Sequence, residues 1–406
     1  MAQYSRYKGV AIIVCFFAVL LLSLTQCKSD SSTVTGGLAE IDVSQKYPEK
    51  KLYIQDLAKV EYIPLETNNN TLMRFRSDVI AYVSDDYIIA ENYNDGDVFV
   101  FDGKGKSKFS FNHKGQGPTD YNVLWSIAFD EKAKEIFVFD LYSKKILVYN
   151  EDGKYKRTLT ISSDLQDIKM YSFDDETLLV YDNSGIFGLN HFQAGYSKKP
   201  YLFMSKEDGS VVDTVNIQLP SRVTNTVAWP GGEENGQSMV YSRGLSINNN
   251  RSDGKNFLIA DWSCDTVYRL TQEKELQPII VRKPPLESKD QTFIIITNVF
   301  ASDKFILLYK IEMNYQTLRN GGDIPQKGLM YDFETGHINE WKLIDKNFES
   351  YRGMEVWEAI TPENTCFRLL NVAQLFDESE KITGELKELL KSLEEEDNPV
   401  LMKIKF

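Results

Sequence analysis

Three carboxylates occupy matching positions in the sequence and are the residues best placed to do chemistry. Glu91, Asp140 and Asp261 each close a short run of β-branched, aromatic and other apolar residues. Carboxylates that converge on one cavity can act as general acid and base on a glycan, or bind a metal ion through oxygen. The alternative, which the turn-like surroundings favour, is that each carboxylate caps its own turn by accepting backbone N–H hydrogen bonds.

The sequence offers little other catalytic chemistry. The three histidines have no metal-binding spacing, and a Gly-x-Ser-x-Gly nucleophile motif does not occur. Gly105-Lys106-Ser107 matches the end of a phosphate loop, but Val100 stands where that motif begins with glycine. The turn Asn92–Asp97 carries oxygen ligands suited to calcium without matching an EF-hand, so a solvated turn is favoured over a calcium site. No cofactor is expected.

Two segments are candidates for ligand binding. Gly115, Gly117, Pro118 and Tyr121 belong to a long loop that either lines a ligand site or uses its glycines to cross sharply between two structural units. Trp229 opens a Gly- and Asn-rich insertion that extends to Asn250, and a tryptophan in an exposed loop can stack on a sugar ring or a peptide.

The elements that position these residues form an internal repeat. Each unit has two β-rich runs joined by a polar turn, followed by a glycine turn and another strand. The glycine turns suit tight hairpins because glycine adopts positive φ without a steric penalty, and they occur at Gly103, Gly153, Gly209 and Gly336. Four short antiparallel strands in about 45–50 residues are typical of a propeller blade. The sequence therefore predicts an all-β, six-bladed β-propeller.

The repeat anchors predict blades near residues 77–112, 122–160, 166–218, 222–282, 290–345 and 353–376. The sixth is incomplete, and the terminal segments Val60–Leu65 and Val400–Phe406 are expected to complete it. Between them, the leucine spacing over Asp377–Glu396 predicts one amphipathic helix. This helix either packs on the propeller, which we favour, or docks a partner.

The N-terminus has the features of a secretory signal. Arg6 and Lys8 precede an unbroken apolar run from Val10 to Leu22, too short for a stable spanning helix, and Cys27 follows shortly afterwards. This pattern resembles the lipobox of bacterial lipoproteins, which implies a signal peptide over residues 1–26 and lipidation of Cys27. A flexible tether over 27–50 and a propeller over 51–406 would follow. An ordinary signal peptide and an uncleaved signal anchor are the alternatives.

Composition limits the partners. The formal net charge is −13, with 46 Lys and Arg against 59 Asp and Glu, so the overall field repels nucleic acid. Acyl chains, and not surface charge, would hold the protein at a membrane. Cys264 and Cys366 remain in the mature chain and could pair in an oxidising compartment, although two buried free thiols are favoured.

Four motifs carry a resemblance to a known family: Tyr62–Thr67, Lys114–Tyr121, Asp265–Leu270 and Asn398–Leu401. Together they resemble the six-bladed β-propeller lipoproteins of Bacteroidetes, with NHL-like repeats. The resemblance implies a fold and a cell-envelope location at the outer membrane, facing the periplasm or the cell surface. It supplies no catalytic residues.

The expected role is therefore non-catalytic recognition of a glycan, peptide or protein by a lipid-anchored propeller. A glycan hydrolase or lyase using Glu91, Asp140 and Asp261 is the second hypothesis. A structural subunit of an outer-membrane complex is the third.

Overall fold

The computed structural model describes residues 38–406, apart from residues 74–79, 93, 185–198, 218, 220–221, 224, 235–236, 246–249, 253–255, 287–291 and 349–364. The predicted signal peptide, Cys27 and the first part of the predicted tether lie outside the described residues. Six sheets form the blades of a propeller, which confirms the predicted fold, and a separate two-stranded hairpin lies between blades three and four.

The first three strands of the chain do not pair with one another, because each joins a later sheet. They are β1 (Ala39–Asp42), β2 (Glu49–Tyr53) and β3 (Lys59–Pro64), and the one-turn helix α1 (Ile54–Leu57) lies between the last two. The boundary predicted at residue 51 is therefore wrong: part of the expected tether, residues 39–42 and 49–50, belongs to the propeller.

Blades one, two and three each contain four antiparallel strands in sequence order. Blade one contains β4 (Ile80–Val83), β5 (Tyr87–Asn92), β6 (Asp97–Asp102) and β7 (Ser107–Asn112). Blade two contains β8 (Leu124–Asp130), β9 (Glu135–Asp140), β10 (Lys145–Asn150) and β11 (Tyr155–Thr160). Blade three contains β12 (Ile168–Ser172), β13 (Thr177–Asp182), β14 (Tyr201–Ser205) and β15 (Val211–Thr214). These bounds agree with the predicted blades.

Blade four differs from the prediction of 222–282. Residues 226–234 and 237–244 form the separate hairpin of β16 (Thr226–Glu234) and β17 (Gln237–Gly244). The blade itself contains β18 (Asn250–Ser252), β19 (Phe257–Ile259), β20 (Thr266–Leu270) and β21 (Leu276–Lys283). The hairpin stands apart from the blade because Val227 and Trp229 pack on blade five.

Blade five contains longer strands, and the short helix α2 (Tyr315–Arg319) joins its second strand to its third. Its strands are β22 (Thr292–Ala301), β23 (Phe305–Asn314), β24 (Gln326–Asp332) and β25 (Ile338–Ile344). The described part of blade six contains β26 (Thr365–Leu370) and β27 (Val400–Lys405), with β3 at its edge. Strands from the two ends of the chain therefore complete this blade, as predicted.

The N-terminal segment also covers two outer edges. β1 pairs in parallel with β21 of blade four, and β2 pairs in parallel with β25 of blade five. An uncovered outer strand exposes unpaired backbone groups to other chains. The segment therefore runs along the outside of three consecutive blades before the first blade begins.

The core lies between adjacent blades. Phe129 of blade two, for example, packs against Tyr82 and Tyr87 of blade one, with ring centroids 5.1 and 5.2 Å apart. Similar apolar clusters fill the other described blade interfaces. Each aromatic pair contributes about 0.5–1.5 kcal/mol beyond burial of its area.

The predicted C-terminal helix is shorter than expected. Helix α3 (Val372–Asp377) comes first, then a 3₁₀ turn over Ser379–Lys381, then helix α4 (Gly384–Leu390). The helix cannot extend through Thr383 and Gly384, because Thr383 is extended and Gly384 has a φ of +58°. The buried side chains Leu386 and Leu390 pack into the cluster between blades five and six, so the apolar face covers the propeller, as the sequence favours.

The ring closes between blades six and one through an ionic contact. The buried ammonium of Lys403 donates to the Ser84 carbonyl at 2.8 Å and to the Asp85 carboxylate at 2.6 Å, and Lys405 donates to the same carboxylate at 2.8 Å. The hydrogen bonds from Lys403 and Lys405 hold the pKa of Asp85 well below its ordinary range.

We expect Asp85→Asn to lower the free energy of unfolding at pH 7 by about 1 kcal/mol, a modest value because the carboxylate is half exposed. A lowered pKa in the folded state stabilises the protein fully above the ordinary value of about 3.9, and this contribution declines as the pH falls from there through the lowered pKa of the folded state. Urea denaturation at pH 7 and pH 3 should show the difference from wild type shrinking at the lower pH. A difference independent of pH would contradict the assignment. Asp56→Asn, which removes an exposed ion pair with Lys346, is the control.

Candidate functional site

The candidate residues gather at one face of the ring, which we call the linker face. It consists of the turns between the second and third strands of the blades, together with the segments that lead into each first strand. The two sets of segments contact each other. Leu141 donates its N–H to the Val123 carbonyl, Asn183 to the Asp167 carbonyl, and Val223 to the Ser263 hydroxyl. The face is therefore a continuous surface built from several blades.

Asp140 is fully buried and caps its turn. Its carboxylate accepts backbone N–H bonds from Asn122, Val123 and Tyr142 at 3.0–3.1 Å and a bond from the Ser143 hydroxyl at 2.5 Å. Burial raises the pKa of Asp140, but these hydrogen bonds outweigh it, so the pKa lies below its ordinary value. The group is ionised at neutral pH and cannot donate a proton as a general acid.

Asp261 is also buried, in blade four. It accepts the backbone N–H of Ser263 at 2.8 Å and the phenol of Tyr201 at 3.0 Å. Tyr201 packs on Tyr181, whose hydroxyl accepts a 2.7 Å bond from the buried guanidinium of Arg222. These contacts link blades three and four. Asp140 and Asp261 have different neighbours, and the described contacts do not join them in one site.

Glu91 is half-buried at the end of β5, opposite Val98. It lies near Tyr121, whose pKa is raised by burial and by the surrounding carboxylates, Glu91 among them. In the adjoining turn, protein donors occupy oxygens that calcium would need. Lys114 donates to the Asn94 carbonyl at 2.5 Å, and the Asn112 amide donates to Asp97 at 2.8 Å. These contacts favour the solvated turn over a calcium site.

The glycines of the loop before blade two make room for a carboxylate. The Gly117 N–H donates to the Asp120 carboxylate at 2.9 Å. A Cβ atom at Gly115 would lie 2.4 Å from the nearer carboxylate oxygen, and one at Gly117 would lie 2.7 Å from it. Only glycine fits at both positions without displacing Asp120. Pro118 is exposed at the tip of the loop.

Tyr121 anchors this loop to both neighbouring blades. Its buried hydroxyl donates to the Gly96 carbonyl of blade one and accepts the His113 backbone N–H at 3.0 Å. The His113 ring stacks on Tyr149 of blade two, with centroids 5.0 Å apart. The loop thus joins the first two blades, and its accessible part is the tip around Gln116 and Pro118.

Trp229 does not lie in an exposed loop, contrary to the prediction. It is half-buried in β16, directly opposite Tyr241 of β17, and the two ring centroids are 6.2 Å apart at 54°. The Arg319 guanidinium at the end of α2 lies over the indole, 5.4 Å from its centre. Trp229 is therefore set between a second ring and a cation.

Three residues beside Trp229 are accessible and were not predicted. Tyr241 is 50% exposed, and Arg243 and Arg319 are also exposed. Nη1 of Arg243 lies 3.4 Å from the carbonyl oxygens of Leu318 and Arg319, so it holds the hairpin against α2. We call Trp229, Tyr241, Arg243 and Arg319 the hairpin site. The alternation in Tyr241-Ser242-Arg243 indicates a strand in the sequence. The proximity of Arg319 to Trp229 depends on the fold.

Other features of the described residues bear on chemistry. Tyr142, in the blade-two turn of the linker face, is 76% exposed. Within the described ranges, no group of three or more His, Cys, Asp or Glu side chains is placed to hold a metal ion. Cys264 and Cys366 are both free thiols. No helix in the described part of the chain is long and apolar enough to cross a bilayer.

A solved structure shares the fold. A Bacteroides fragilis protein described as a candidate exported protein superposes with a TM-score of 0.60 at 14% identity, over 91% of this chain and 99% of that one. A Bacteroides vulgatus member of the DUF4221 family gives a TM-score of 0.47 at 10% identity, over 86% of this chain and 96% of that one. No protein with a curated description has a matching sequence.

A family model covers nearly the whole described region. The family is named Domain of unknown function (DUF4934), and it matches residues 38–405, from the residue before β1 to the last residue of β27. The match includes the N-terminal strands that complete blades four to six, in agreement with the strand pairing. The chain belongs to the DUF4934 family.

Proposed function

We propose that this protein is a non-catalytic binding protein whose ligand contacts the linker face at the hairpin site. The observation that carries the proposal is the pairing of Trp229 with the accessible Tyr241 beside exposed arginines. Tyrosine, tryptophan and arginine are the residues that most often dominate binding energies at recognition surfaces. The ligand class is a glycan, a peptide or a protein.

The state of the carboxylates supports binding in preference to hydrolysis. Asp140 is buried and its oxygens accept turn hydrogen bonds, and Asp261 is held by Tyr201 and Ser263. A glycosidase needs two carboxyl groups facing one another across the substrate, one of them protonated. The capping roles found for Asp140 and Asp261 do not supply such a pair.

We also propose that lipid attached to Cys27 holds the propeller at the outer membrane of the cell envelope. The apolar run followed by Cys27 supports this, and two or more acyl chains are sufficient for stable anchoring. Metabolic labelling with an alkyne-tagged fatty acid should label the wild-type protein and not Cys27→Ser. Equal labelling of the two would contradict lipidation at this residue.

The binding proposal predicts that Tyr241→Ala weakens binding about tenfold or more, because truncating a central aromatic residue commonly removes over 1 kcal/mol. Trp229→Ala should have at least as large an effect, since it removes the ring that supports both Tyr241 and Arg319. The measurement is a glycan and peptide array probed with the full chain in detergent, followed by titration of any ligand that is retained.

Tyr155→Ala is the matched control for these variants. Tyr155 is also an exposed aromatic residue, but it begins β11 next to a turn at the other end of the blade-two sheet. It should bind as wild type does. A ligand whose affinity falls with Tyr155→Ala and not with Tyr241→Ala would contradict the assigned face. An array without any bound ligand would favour a structural subunit of a membrane complex.

A further inference from the structure

We propose that the hairpin site recognises an acidic saccharide, with the arginine guanidinium groups on its carboxylate and the Tyr241 ring on the face of the sugar. This inference rests on the proposed binding function and names the class of ligand.

The first observation is two exposed arginines that have no carboxylate partner among the described residues of an acidic protein. The chain carries 59 Asp and Glu residues against 46 Lys and Arg. By comparison, Arg157 forms a salt bridge with Glu135, and Arg282 lies near Asp265. Among the described residues, neither Arg243 nor Arg319 lies within ion-pair distance of a carboxylate. Their described contacts are with carbonyl oxygens and the Trp229 ring.

The second observation is that the fold holds both guanidinium groups in place. A Cβ atom at Gly321 would lie 2.3 Å from Nη1 of Arg243, so this glycine, with its φ of +76°, leaves the space that Arg243 occupies. Arg319 is oriented by its contact with the Trp229 indole. A guanidinium stacked on a ring keeps its N–H edge available for two parallel hydrogen bonds to a carboxylate.

The third observation is that the charges and an accessible ring are adjacent. Tyr241 is half exposed, lies two residues before Arg243 on the same strand and faces Trp229. In a uronic acid the carboxylate is bonded directly to the sugar ring, so one monomer presents both an anion and a flat face. An acidic peptide carries its carboxylates on flexible side chains without such a ring. The arrangement therefore favours the saccharide.

The overall charge of the protein makes this a demanding prediction. A net charge of −13 repels a polyanion, so non-specific attraction cannot produce binding of an acidic polymer. Any affinity for an acidic polymer must come from a local site that overcomes this repulsion.

The test measures binding to polygalacturonate by calorimetry, using the full chain in detergent. We expect binding to polygalacturonate to be at least about tenfold tighter than to its methyl ester, in which the sugar backbone is unchanged and the carboxylates are neutral. Arg319→Gln should reduce affinity about tenfold or more, since hydrogen bonds to charged groups are stronger than those between neutral groups. Arg319→Lys should recover only part of the lost affinity, because lysine keeps the charge but lacks the planar set of N–H donors.

Lys132→Gln is the charge-matched control, because it removes one exposed cation that is paired with Asp175 and lies between β8 and β9 of blade two, outside the hairpin site. It should bind as wild type does. Arg319 is exposed, so Arg319→Gln should unfold at the wild-type urea concentration; Arg243→Gln provides a second variant with the same expected loss of affinity.

The outcomes separate this inference from the function on which it rests. Polygalacturonate and its methyl ester could bind equally, with binding lost only in Tyr241→Ala. That result would overturn the assignment of an acidic ligand and leave the proposed binding function intact. Equal or tighter binding of poly-L-glutamate would replace the saccharide with an acidic peptide. Absence of polygalacturonate binding overturns the inference, and absence of any ligand on the array as well overturns the proposed function.

Discussion

Replacing Asp130 with alanine is expected to lower the free energy of unfolding by about 3–5 kcal/mol, because it leaves a buried ammonium without its counter-charge. Lys206, in blade three, donates to the Asp130 carboxylate of blade two at 2.5 Å, to the Ser172 hydroxyl at 2.9 Å and to the Asp174 carbonyl at 2.5 Å. Both charged side chains are less than 10% exposed. The carboxylate also accepts the Ala133 N–H of its own turn at 2.9 Å.

Urea denaturation at pH 7 checks this value. Asp175→Ala is the control, since it removes an ion pair with Lys132 in which both side chains are more than two-thirds exposed. The exposed pair should contribute less than about 1 kcal/mol. Similar losses of unfolding free energy in the two variants would contradict the view that the buried Asp130–Lys206 ion pair stabilises the contact between blades two and three.

Gly328→Ala is expected to lower the free energy of unfolding by about 3 kcal/mol, which is at the upper end of typical overpacking costs. Gly328 lies in β24 directly opposite Trp341 of β25, and the indole covers its backbone. A Cβ atom there would lie 2.4 Å from two atoms of the indole. The ring cannot move aside easily, because it is buried and packs on Tyr309, with centroids 5.2 Å apart.

A double-mutant cycle tests this cause. In a Trp341→Leu background the added methyl group has no indole to meet, so Gly328→Ala should cost less than about 1 kcal/mol. Thermal and urea unfolding of the four proteins provide the comparison. A loss of equal size in both backgrounds would show that backbone conformation, and not the indole, makes glycine necessary at position 328.

The blades could be predicted because the sequence features that define them are local. Glycine turns, alternating apolar residues and spacing are properties of neighbouring residues. The predicted glycines Gly153, Gly209 and Gly336 adopt positive φ, whereas in the first turn Gly105 does so and Gly103 does not. Closure of the ring by segments from both ends of the chain could also be predicted, since blade six lacked strands that only those segments could supply.

The N-terminal strands were not predictable in the same way. β1 and β2 are short, and Glu49-Lys50-Lys51 in β2 lacks the alternation of a half-buried strand. Their parallel partners lie over 200 residues later in the chain. Only the finished outer edges of blades four and five define where these segments bind.

The hairpin site shows where sequence reasoning about a binding surface ends. The Gly- and Asn-rich surroundings of Trp229 identify it as an aromatic candidate, and its role in binding stays a prediction. Its pairing with Tyr241 depends on a register that shifts between Pro230 and Gly232. The contact with Arg319 joins residues of a linker and a blade-five turn, which are adjacent only in the folded ring.

The most direct test of the account is a hydrogen-exchange footprint of the full chain with the tightest ligand retained on the array. We expect the ligand to slow exchange in residues 226–234, 237–244 and 314–322, which belong to the hairpin and the α2 turn, while the turns at Gly103, Gly153 and Gly336 exchange as in the free protein. Protection centred on those glycine turns, with the hairpin unchanged, would contradict it.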